Sequence, residues 1–196
     1  MIVEIDARDA KAALDRVPAA LQKRLFPVLN RWGLGVVGHI KANKLDGQVL
    51  NHRTRTLSRA VFHRVEESGE EGTLEVGVDL AKAPYGRVHE YGGTIRPKTA
   101  AHLTIPIGRA LTASGVARFR ARQVIASPAS FGFASTFARN GIIFGTNKGA
   151  APSPLFVLKD SVTLKARPYL STGWNDKYEW GLSLLDEAID EIVKET

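Results

Sequence analysis

Cysteine is absent from the 196 residues of this chain. Disulfide bonds, thiolate metal sites and a cysteine nucleophile are therefore excluded, and the folded state has to be stabilised by packing. A chain without cysteine is typical of reducing, intracellular compartments. The absence of cysteine thus fits an intracellular origin.

Long apolar runs are missing as well. A bilayer span needs roughly 20 apolar residues, and the nearest run, 34–40, is interrupted by Gly35, Gly38 and His39. The start of the chain, 1–6, has neither a basic region nor an apolar core, so we expect no signal peptide. The sequence predicts a soluble protein, and its length suits a single domain over 1–196 that carries a long insertion.

The common motifs of catalysis are not present either. The five histidines are too widely spaced for a metal-binding pair on one helix, and His89-Glu90 begins a zincin pattern that fails at Gly93, where the second histidine is needed. There is no GxxxxGK[ST] phosphate loop and no GxSxG elbow. We predict no enzyme activity, no metal and no cofactor; a hydrolase with a scattered active site has no positive support.

Acidic residues are missing from one long segment. No Asp or Glu occurs between Tyr91 and Lys159, and subtracting the nine basic residues of this segment from the net charge of +7 leaves −2 for the rest of the chain. The nine are Arg96, Lys98, Arg109, Arg118, Arg120, Arg122, Arg139, Lys148 and Lys159. A concentrated positive field suits a polyanion, DNA first, because neutralised phosphates release condensed counterions. A solvated surface that only keeps the protein soluble is the alternative.

Periodicity predicts the main helices. Residues 9–44 are predicted helical, with Pro18 suiting a first helical position and Pro27 expected to kink or interrupt the helix. Gly33, Gly35 and Gly38 indicate a closely packed neighbouring backbone. The predicted apolar face of this helix is Leu21, Leu25, Leu29, Trp32, Val36 and Ile40, and that of the last helix is Trp174, Tyr178, Leu182, Leu185, Ile189 and Ile192.

Alternating patterns predict the strands. Residues 57–65 and 73–78 favour a hairpin, 103–107 a strand that Pro106 ends or places at an edge, and 154–158 and 161–166 two more strands. Residues 83–93 favour a short helical turn closed by two glycines. The predicted fold class is α+β, a small antiparallel sheet packed by a long N-terminal helix and a C-terminal amphipathic helix.

Residues 108–151 are predicted to be a flexible, basic insertion rich in Gly, Ala and Ser. Only 142–144 shows a period, and we expect proteases to cut this segment. Arg118, Arg120 and Arg122 would share one face if the segment is extended. For four of its phenylalanines a core role is less obvious than contact with a neighbouring subunit: Phe119, Phe131, Phe133 and Phe137.

Two separated motifs together resemble a known family. The first is Tyr85-Gly86-Arg87-Val88-His89-Glu90-Tyr91-Gly92-Gly93; the second is Pro154-Leu155-Phe156-Val157-Leu158, followed by Ala166-Arg167-Pro168-Tyr169-Leu170. They resemble the tail-completion (neck) family of long-tailed bacteriophages, which includes relatives of the lambda minor tail protein Z and the virion-morphogenesis proteins. There, a YA-x-x-x-E-[FY]-G segment closes a short helix and an A-R-P-[FY]-[LI] turn opens the last helix. Gly86 departs from the usual alanine, and the insertion is longer than in compact members.

The resemblance implies a structural virion protein rather than an enzyme. It implies a homo-oligomer, expected to be a hexameric ring, at the head-proximal end of the tail in the virion, and in the host cytoplasm during assembly. Its partners would be the tail tube or tail terminator and the head-connector proteins, with packaged DNA passing the lumen and no membrane. The alternative is a sequence-nonspecific DNA-binding module that uses 96–148. The candidate DNA- or lumen-facing residues are Arg109, Arg118, Arg120, Arg122, Arg139 and Lys148.

The motif residues are predicted to be structural. Arg167 would clamp a carbonyl or a carboxylate such as Glu90 within the subunit, or bridge to the next subunit, and we favour the first. The full set is Tyr85, His89, Glu90, Tyr91, Gly92, Gly93, Arg167, Pro168 and Tyr169.

Overall fold

The computed structural model describes residues 2–3, 19–51, 53–68 and 71–195. The chain forms two compact units, one of Met1–Gly92 with Lys165–Thr196 and one of Gly93–Leu164, which we call the core unit and the basic unit. The basic unit is therefore an insertion into the core unit, and the segment predicted at 108–151 lies wholly inside it. Single-domain behaviour over 1–196 stays a prediction, as does flexibility of 108–151.

The described elements are helices α1 to α5, a π-helical turn, two 3-10 turns and strands β1 to β9. In chain order they are β1 (Ile2–Val3), α1 (Ala19–His39), the π-helical turn (Ile40–Lys44), α2 (Thr56–Ala60), β2 (Val61–Ser68), β3 (Glu71–Val78), α3 (Gly86–Tyr91), β4 (Gly93–Ile95), β5 (Leu103–Pro106), 3-10 turn Gly108–Ala110, α4 (Ala121–Ala126), 3-10 turn Pro128–Phe131, β6 (Ser135–Arg139), β7 (Ile142–Thr146), β8 (Ser153–Lys159), β9 (Val162–Leu164) and α5 (Leu170–Glu195).

The core unit packs α1 against α5 and against a three-stranded antiparallel sheet of order β1-β3-β2. Trp32, Val36 and Ile40 of the predicted stripe are buried in its apolar cluster. A methyl group on Gly33 would lie 2.7 Å from both His63 Cδ2 and Leu74 Cδ1. The close neighbours at Gly33 are thus side chains rather than the predicted backbone, and nothing lies within 4 Å of a methyl group at Gly38. The α+β fold class is confirmed.

The boundaries of α1 exclude one of the two outcomes expected at Pro27, interruption of the helix. Pro27 lies inside the helix and does not interrupt it. Loss of one backbone hydrogen bond is offset because apolar side chains that follow Pro27 in the helix, Val28, Leu29 and Trp32, pack into the cluster. The helix instead ends in the π-helical turn, where the Leu45 N–H donates to the Ile40 carbonyl over 3.1 Å. The predicted residues 9–18 lie outside the described part of the chain.

The hairpin is confirmed, but it begins at Val61 rather than at residue 57. Residues 57–60 belong to α2, in which the Arg59 N–H donates to the Arg55 carbonyl over 3.0 Å. Leu57 and Ala60 are buried on one face of this turn. A spacing of three between these two side chains satisfies a helical turn, whereas a strand would place them on opposite faces.

The buried face of α5 differs from the predicted one. Its buried residues include Leu170, Trp174, Leu184 and Ala188, whereas Tyr178 is 38% and Ile189 is 42% exposed. Leu182 and Leu185 are half-buried. The prediction is wrong for the two exposed residues, because the face of α5 toward α1 includes Gly181, which lies against the Trp32 indole. The side chain of Ile192 lies outside the described ones.

The basic unit contains a four-stranded antiparallel sheet of order β5-β8-β7-β6 and a two-stranded ribbon of β4 and β9. Strand β5 is an edge strand and ends at Pro106, as predicted. The cluster that covers one face of the sheet, here the unit's cluster, consists of Ala110, Ala121, Val124, Phe133, Ile143, Leu155 and Phe156.

Regular structure in 108–151 extends beyond the periodic residues 142–144, because α4, two 3-10 turns and the β6–β7 hairpin lie there. Its phenylalanines also differ from expectation. Phe133 is 3% exposed in the unit's cluster, and Phe119 and Phe131 pack against it. These rings stabilise the unit from within, and only Phe137, at 40% exposed, presents a large surface.

Candidate nucleic-acid interface

The net charge of the chain is carried by the basic unit. Asp160 is the only acidic residue of 93–164, so the nine cations give this unit +8 and the core unit −1. Asp160 Oδ1 lies 2.7 Å from His102 Nδ1. All nine Lys and Arg side chains are exposed. Because no other carboxylate exists within the unit, these cations stay available to an external anion.

Four of the candidate arginines lie on one segment, 109–122, which passes beside the unit's cluster. The Arg109 guanidinium lies over the Phe133 ring, 5.3 Å from its centroid, and Arg118 Nε donates to the Leu111 carbonyl over 2.9 Å. Arg120 precedes α4 and Arg122 is within it. We call Arg109, Arg118, Arg120 and Arg122 the α4 arginine group. Two of its members are held by their own contacts, which reduces the entropy lost on binding an anion.

Arg118, Arg120 and Arg122 would share one face only if their segment were extended, and this condition is not met. The chain turns into helix α4 at residue 121, and the Arg120 N–H donates to Gln123 Oε1 over 3.0 Å. A glutamine at the third helical position that satisfies the backbone before the helix is a start signal that the extended interpretation missed.

Arg139 and Lys148 lie on other segments. Arg139 ends β6, and Lys148 lies in the turn after β7, where the Ala150 N–H donates to the Asn147 carbonyl over 3.1 Å. Of the six candidates, four thus lie on segment 109–122, one at the end of β6 and one in the turn after β7.

The first motif and the second meet at Glu90. This carboxylate is 3% exposed. It accepts hydrogen bonds from the Leu170 N–H at 2.8 Å, the Ser171 N–H at 2.9 Å and the Ser171 hydroxyl at 2.6 Å. An anion at the first turn of α5 satisfies backbone donors that have no partner in the helix and interacts favourably with its dipole.

Arg167 does not occupy the predicted position against that carboxylate. Its backbone N–H donates to the His89 carbonyl over 2.7 Å, and its side chain is exposed. The groups that hold Glu90 are backbone amides and the Ser171 hydroxyl, since a helix entry presents free N–H groups rather than free carbonyls.

The other motif residues surround this contact. Tyr169 is fully buried, and its hydroxyl donates to the Gly86 carbonyl over 3.4 Å. Burial raises the pKa of Tyr169, and the charge of Glu90 adds to it, so the hydroxyl stays a donor. Gly92 and Gly93 have φ of 72° and 145° and end α3 in conformations that favour glycine.

The remaining motif side chains are more exposed. Tyr85 is 39% and Tyr91 is 62% exposed. The Tyr85 ring meets the His89 ring edge-on, with centroids 5.8 Å apart. Burial lowers the pKa of His89, and the Arg167 charge lowers it further. Pro168 is exposed in the turn before α5.

One polar cluster was not anticipated. Asp176 Oδ2 lies 2.8 Å from His39 Nε2 and 2.6 Å from Lys44 Nζ, and Asn43 Nδ2 lies 2.9 Å from His39 Nδ1. The π-helical turn places Lys44 on the side of α1 that faces α5. Because His39 and Asp176 are 137 residues apart in sequence, no local spacing could have indicated this contact.

Replacing Asp176 with asparagine should reduce the loss of unfolding free energy that occurs as the pH is lowered. Hydrogen bonds from Lys44 and His39 hold the pKa of Asp176 below its usual 3.8. The carboxylate therefore binds a proton more tightly in the unfolded chain than in the folded one. The contact stabilises the fold fully at a pH above the usual pKa, and this stabilisation is lost as the pH falls through the lowered pKa of the folded state. The side chain is 42% exposed, which limits the effect to below about 1 kcal/mol.

Urea unfolding from pH 6 to pH 2 measures this effect. Asp176→Asn should unfold more easily than wild type at pH 6 and approach it at the acid end. Glu187→Gln, an exposed acid of the same helix, is the control. Equal displacement of the Asp176→Asn curve at every pH would contradict the assignment.

Among the described residues, no group of three or more His, Cys, Asp or Glu side chains could hold a metal ion. No helix in that part of the chain is long and apolar enough to span a bilayer. Neither finding tests the predicted absence of enzyme activity.

Comparison of the chain with protein-family models, with curated proteins and with solved structures found no match. The resemblance to the tail-completion family therefore stays a prediction that depends on the motifs themselves.

Proposed function

We propose that this chain is a structural virion protein of a long-tailed bacteriophage that acts in tail completion and head–tail joining. It would act as a ring subunit whose basic unit lies toward the DNA channel. The observation that carries the proposal is the separation of charge between the units, +8 in 93–164 and −1 in the remainder.

The charge separation favours a polyanion rather than solubility alone. If charge served only to keep the protein soluble, the cations could be spread over both units. They are instead concentrated in one unit that has a single carboxylate. Nine exposed cations without carboxylate partners would each gain from phosphate contact through released counterions. A DNA-lined channel is a continuous polyanion, and contact with it needs no base recognition.

The motif contacts support the same proposal from the core unit. The Glu90–Leu170 contact and the Arg167–His89 hydrogen bond join the segment before the insertion to the segment after it. Inside the basic unit, Gly93 pairs with Leu164 at the start of the β4–β9 ribbon. The hydrogen bonds of Glu90 and Arg167 lie within the core unit, and they support a structural role for α3 and the start of α5.

Loss of this chain from its phage should leave filled heads and unattached tails. Wild-type chain supplied in trans should restore joined particles, and chain with the α4 arginine group replaced should not. Electron microscopy of lysates counts the three particle types. Normal joined particles without the chain would overturn the proposal.

Replacing the α4 arginine group with glutamine should lower the affinity for duplex DNA and its salt dependence together. If all four contact phosphate, the slope of log K against log salt should fall by about 3–4. Fluorescence anisotropy with a labelled duplex from 50 to 300 mM salt measures both. The matched control removes four exposed cations of the core unit: Arg31, Arg59, Arg87 and Lys165.

The same assay separates the ring from the alternative, a free-standing DNA-binding module. Binding by the monomer at nanomolar concentration would favour the module, whereas binding that appears only as copies associate would favour the ring. An equal loss of affinity in the control variant would show that only total charge matters. No binding at 50 mM salt, with or without association, would remove the DNA-facing role.

A further inference from the structure

The sheet of the basic unit has a second face, opposite the unit's cluster. Ile143 and Phe156 pair on the clustered face and are buried. On the other face, Ile105, Val157 and Ile142 form a row across β5, β8 and β7. We call this surface the open face; its apolar members are Leu103, Ile105, Phe137, Ile142, Phe144 and Val157.

The open face is apolar and accessible. Phe137 is 40% exposed and stacks on Phe144 of the neighbouring strand, with centroids 5.2 Å apart and planes at 16°. The other five members are half-buried, and none belongs to the unit's cluster. Leu103 and Ile105 also line a groove of about 560 Å³ with Ile95 and Val162. An apolar face continued by a groove is typical of a protein docking surface.

The charge at the edges of this face restricts what can bind it. Arg139 pairs with Ile142 and Lys159 pairs with Leu103, so two exposed cations stand beside the apolar residues. The one carboxylate of the unit, Asp160, is engaged by His102. Two copies cannot join open face to open face without opposing units of +8 each. The occupant has to be apolar and acidic.

Helix α5 carries a surface of that chemistry. Tyr178 and Ile189, both exposed, lie in line with the half-buried Leu182 and Leu185 at spacings of four, three and four. The fold of the core unit covers this stripe only in part: Leu182 and Leu185 pack against its apolar cluster, while Tyr178 and Ile189 keep exposed surface. Three exposed acids run beside it, and 178–191 contains no Lys or Arg: Glu179, Asp186 and Asp190. We call the stripe with these acids the outer stripe.

The two surfaces also match in size. The twelve residues from 178 to 189 extend about 18 Å along a helix. Four strands at about 4.8 Å spacing give a face roughly 15–19 Å wide. A helix laid across the strands would bring the outer stripe over the whole row from β5 to β6.

We propose that the open face binds the outer stripe of α5 from a second copy of this chain. The inference rests on the proposed function, since it names the contact by which ring subunits would join. The two surfaces differ, so the contact is head to tail, and such contacts close into rings when the rotation allows it.

A charge exchange tests the pairing. One variant, the acidic-face variant, carries Arg139→Glu and Lys159→Glu; the other, the basic-stripe variant, carries Glu179→Lys, Asp186→Lys and Asp190→Lys. In the acidic-face variant alone, an acidic open face would meet an acidic outer stripe, and in the basic-stripe variant alone, a basic face would meet a basic stripe. Self-association of each variant should therefore weaken at least tenfold. Mixed in equal amounts, each presents the partner that the other needs, and association should return. Light scattering and sedimentation over a concentration series measure it.

Apolar variants give an independent arm. Phe137→Ser and Ile189→Ser should each weaken association at least tenfold, while the control Ile125→Ser, at an exposed position outside both surfaces, should not. Circular dichroism checks that each variant is folded. Wild type that stays monomeric at all concentrations and salts, or mixed variants that do not associate, would overturn the inference.

DNA binding by the same proteins keeps the two proposals apart. Association that follows the charge exchange, without any DNA binding, would overturn the DNA-facing role and leave the docking contact intact. DNA binding by wild type that never associates would overturn the docking contact and favour the free-standing module.

Discussion

Gly181→Ala should destabilise the core unit by roughly 3 kcal/mol or more. A methyl group at Gly181 would overlap the indole of Trp32, which lies on the facing helix α1. The indole has no room to withdraw, because it is 3% exposed and stacks on Trp174 with centroids 5.1 Å apart. Alanine improves helix propensity by about 1 kcal/mol, so the clash has to exceed that gain.

Gly38→Ala is the matched control. Gly38 also lies inside a long helix, but a methyl group there would meet nothing within 4 Å. Only the helix propensity changes, so Gly38→Ala should stabilise by about 0.5–1 kcal/mol. Urea unfolding followed by tryptophan fluorescence measures both variants. A neutral or stabilising Gly181→Ala would show that the helices do not approach as closely as the structure has them.

This close packing explains why one helix stripe was predictable and the other only partly. A stripe of large apolar residues indicates burial, and for α1 that rule held at Trp32, Val36 and Ile40. On α5 the close approach to α1 is at Gly181, which faces the Trp32 indole, and a glycine carries no weight in a hydrophobic pattern. Hydrophobic periodicity indicates which large side chains are buried, but it does not indicate which small residues allow two helices to pack closely.

The basic unit was the harder part. Its positive charge could be predicted from composition alone, because a segment that lacks acidic residues is recognised without knowledge of the fold. Its hairpin carried a signal that was not used: Asn140 and Gly141, with φ of 50° and 72°, form the two-residue turn between β6 and β7. Asn-Gly between apolar strands is among the strongest local hairpin signals. Phe133 packs against Gly145, a position where a side chain would clash with its ring. The two residues come into contact only in the folded hairpin, so the sequence alone does not indicate that Phe133 is buried.

The capping role of Glu90 lay beyond sequence spacing for a different reason. The motif indicated that Glu90 mattered, and the guanidinium of Arg167 was the natural partner for a carboxylate. Backbone N–H groups of a helix start carry no sequence signature of their own, and Leu170 is 80 residues away. A buried acid near a helix entry should therefore be tested first as a cap.

Glu90→Ala should cost about 3 kcal/mol, because two backbone N–H groups and one hydroxyl lose a charged acceptor in a buried position. Glu90→Gln keeps one acceptor oxygen and should cost about 1–2 kcal/mol. Ser171→Ala removes only the hydroxyl and should cost about 1 kcal/mol. Urea unfolding ranks the three, and Glu187→Ala, an exposed acid of α5, should change stability by less than about 0.5 kcal/mol.

Hydrogen exchange distinguishes a cap from general packing. If Glu90 holds the start of α5, its removal should speed exchange most at the Leu170 and Ser171 amides and leave the middle of the helix close to wild type, relative to the change in global stability. Uniform acceleration along α5 would mean that Glu90 supports the core unit as a whole. Because the same contact joins the two ends of the insertion, local opening at Leu170 should also expose 165–169 to proteases before the rest of the core unit.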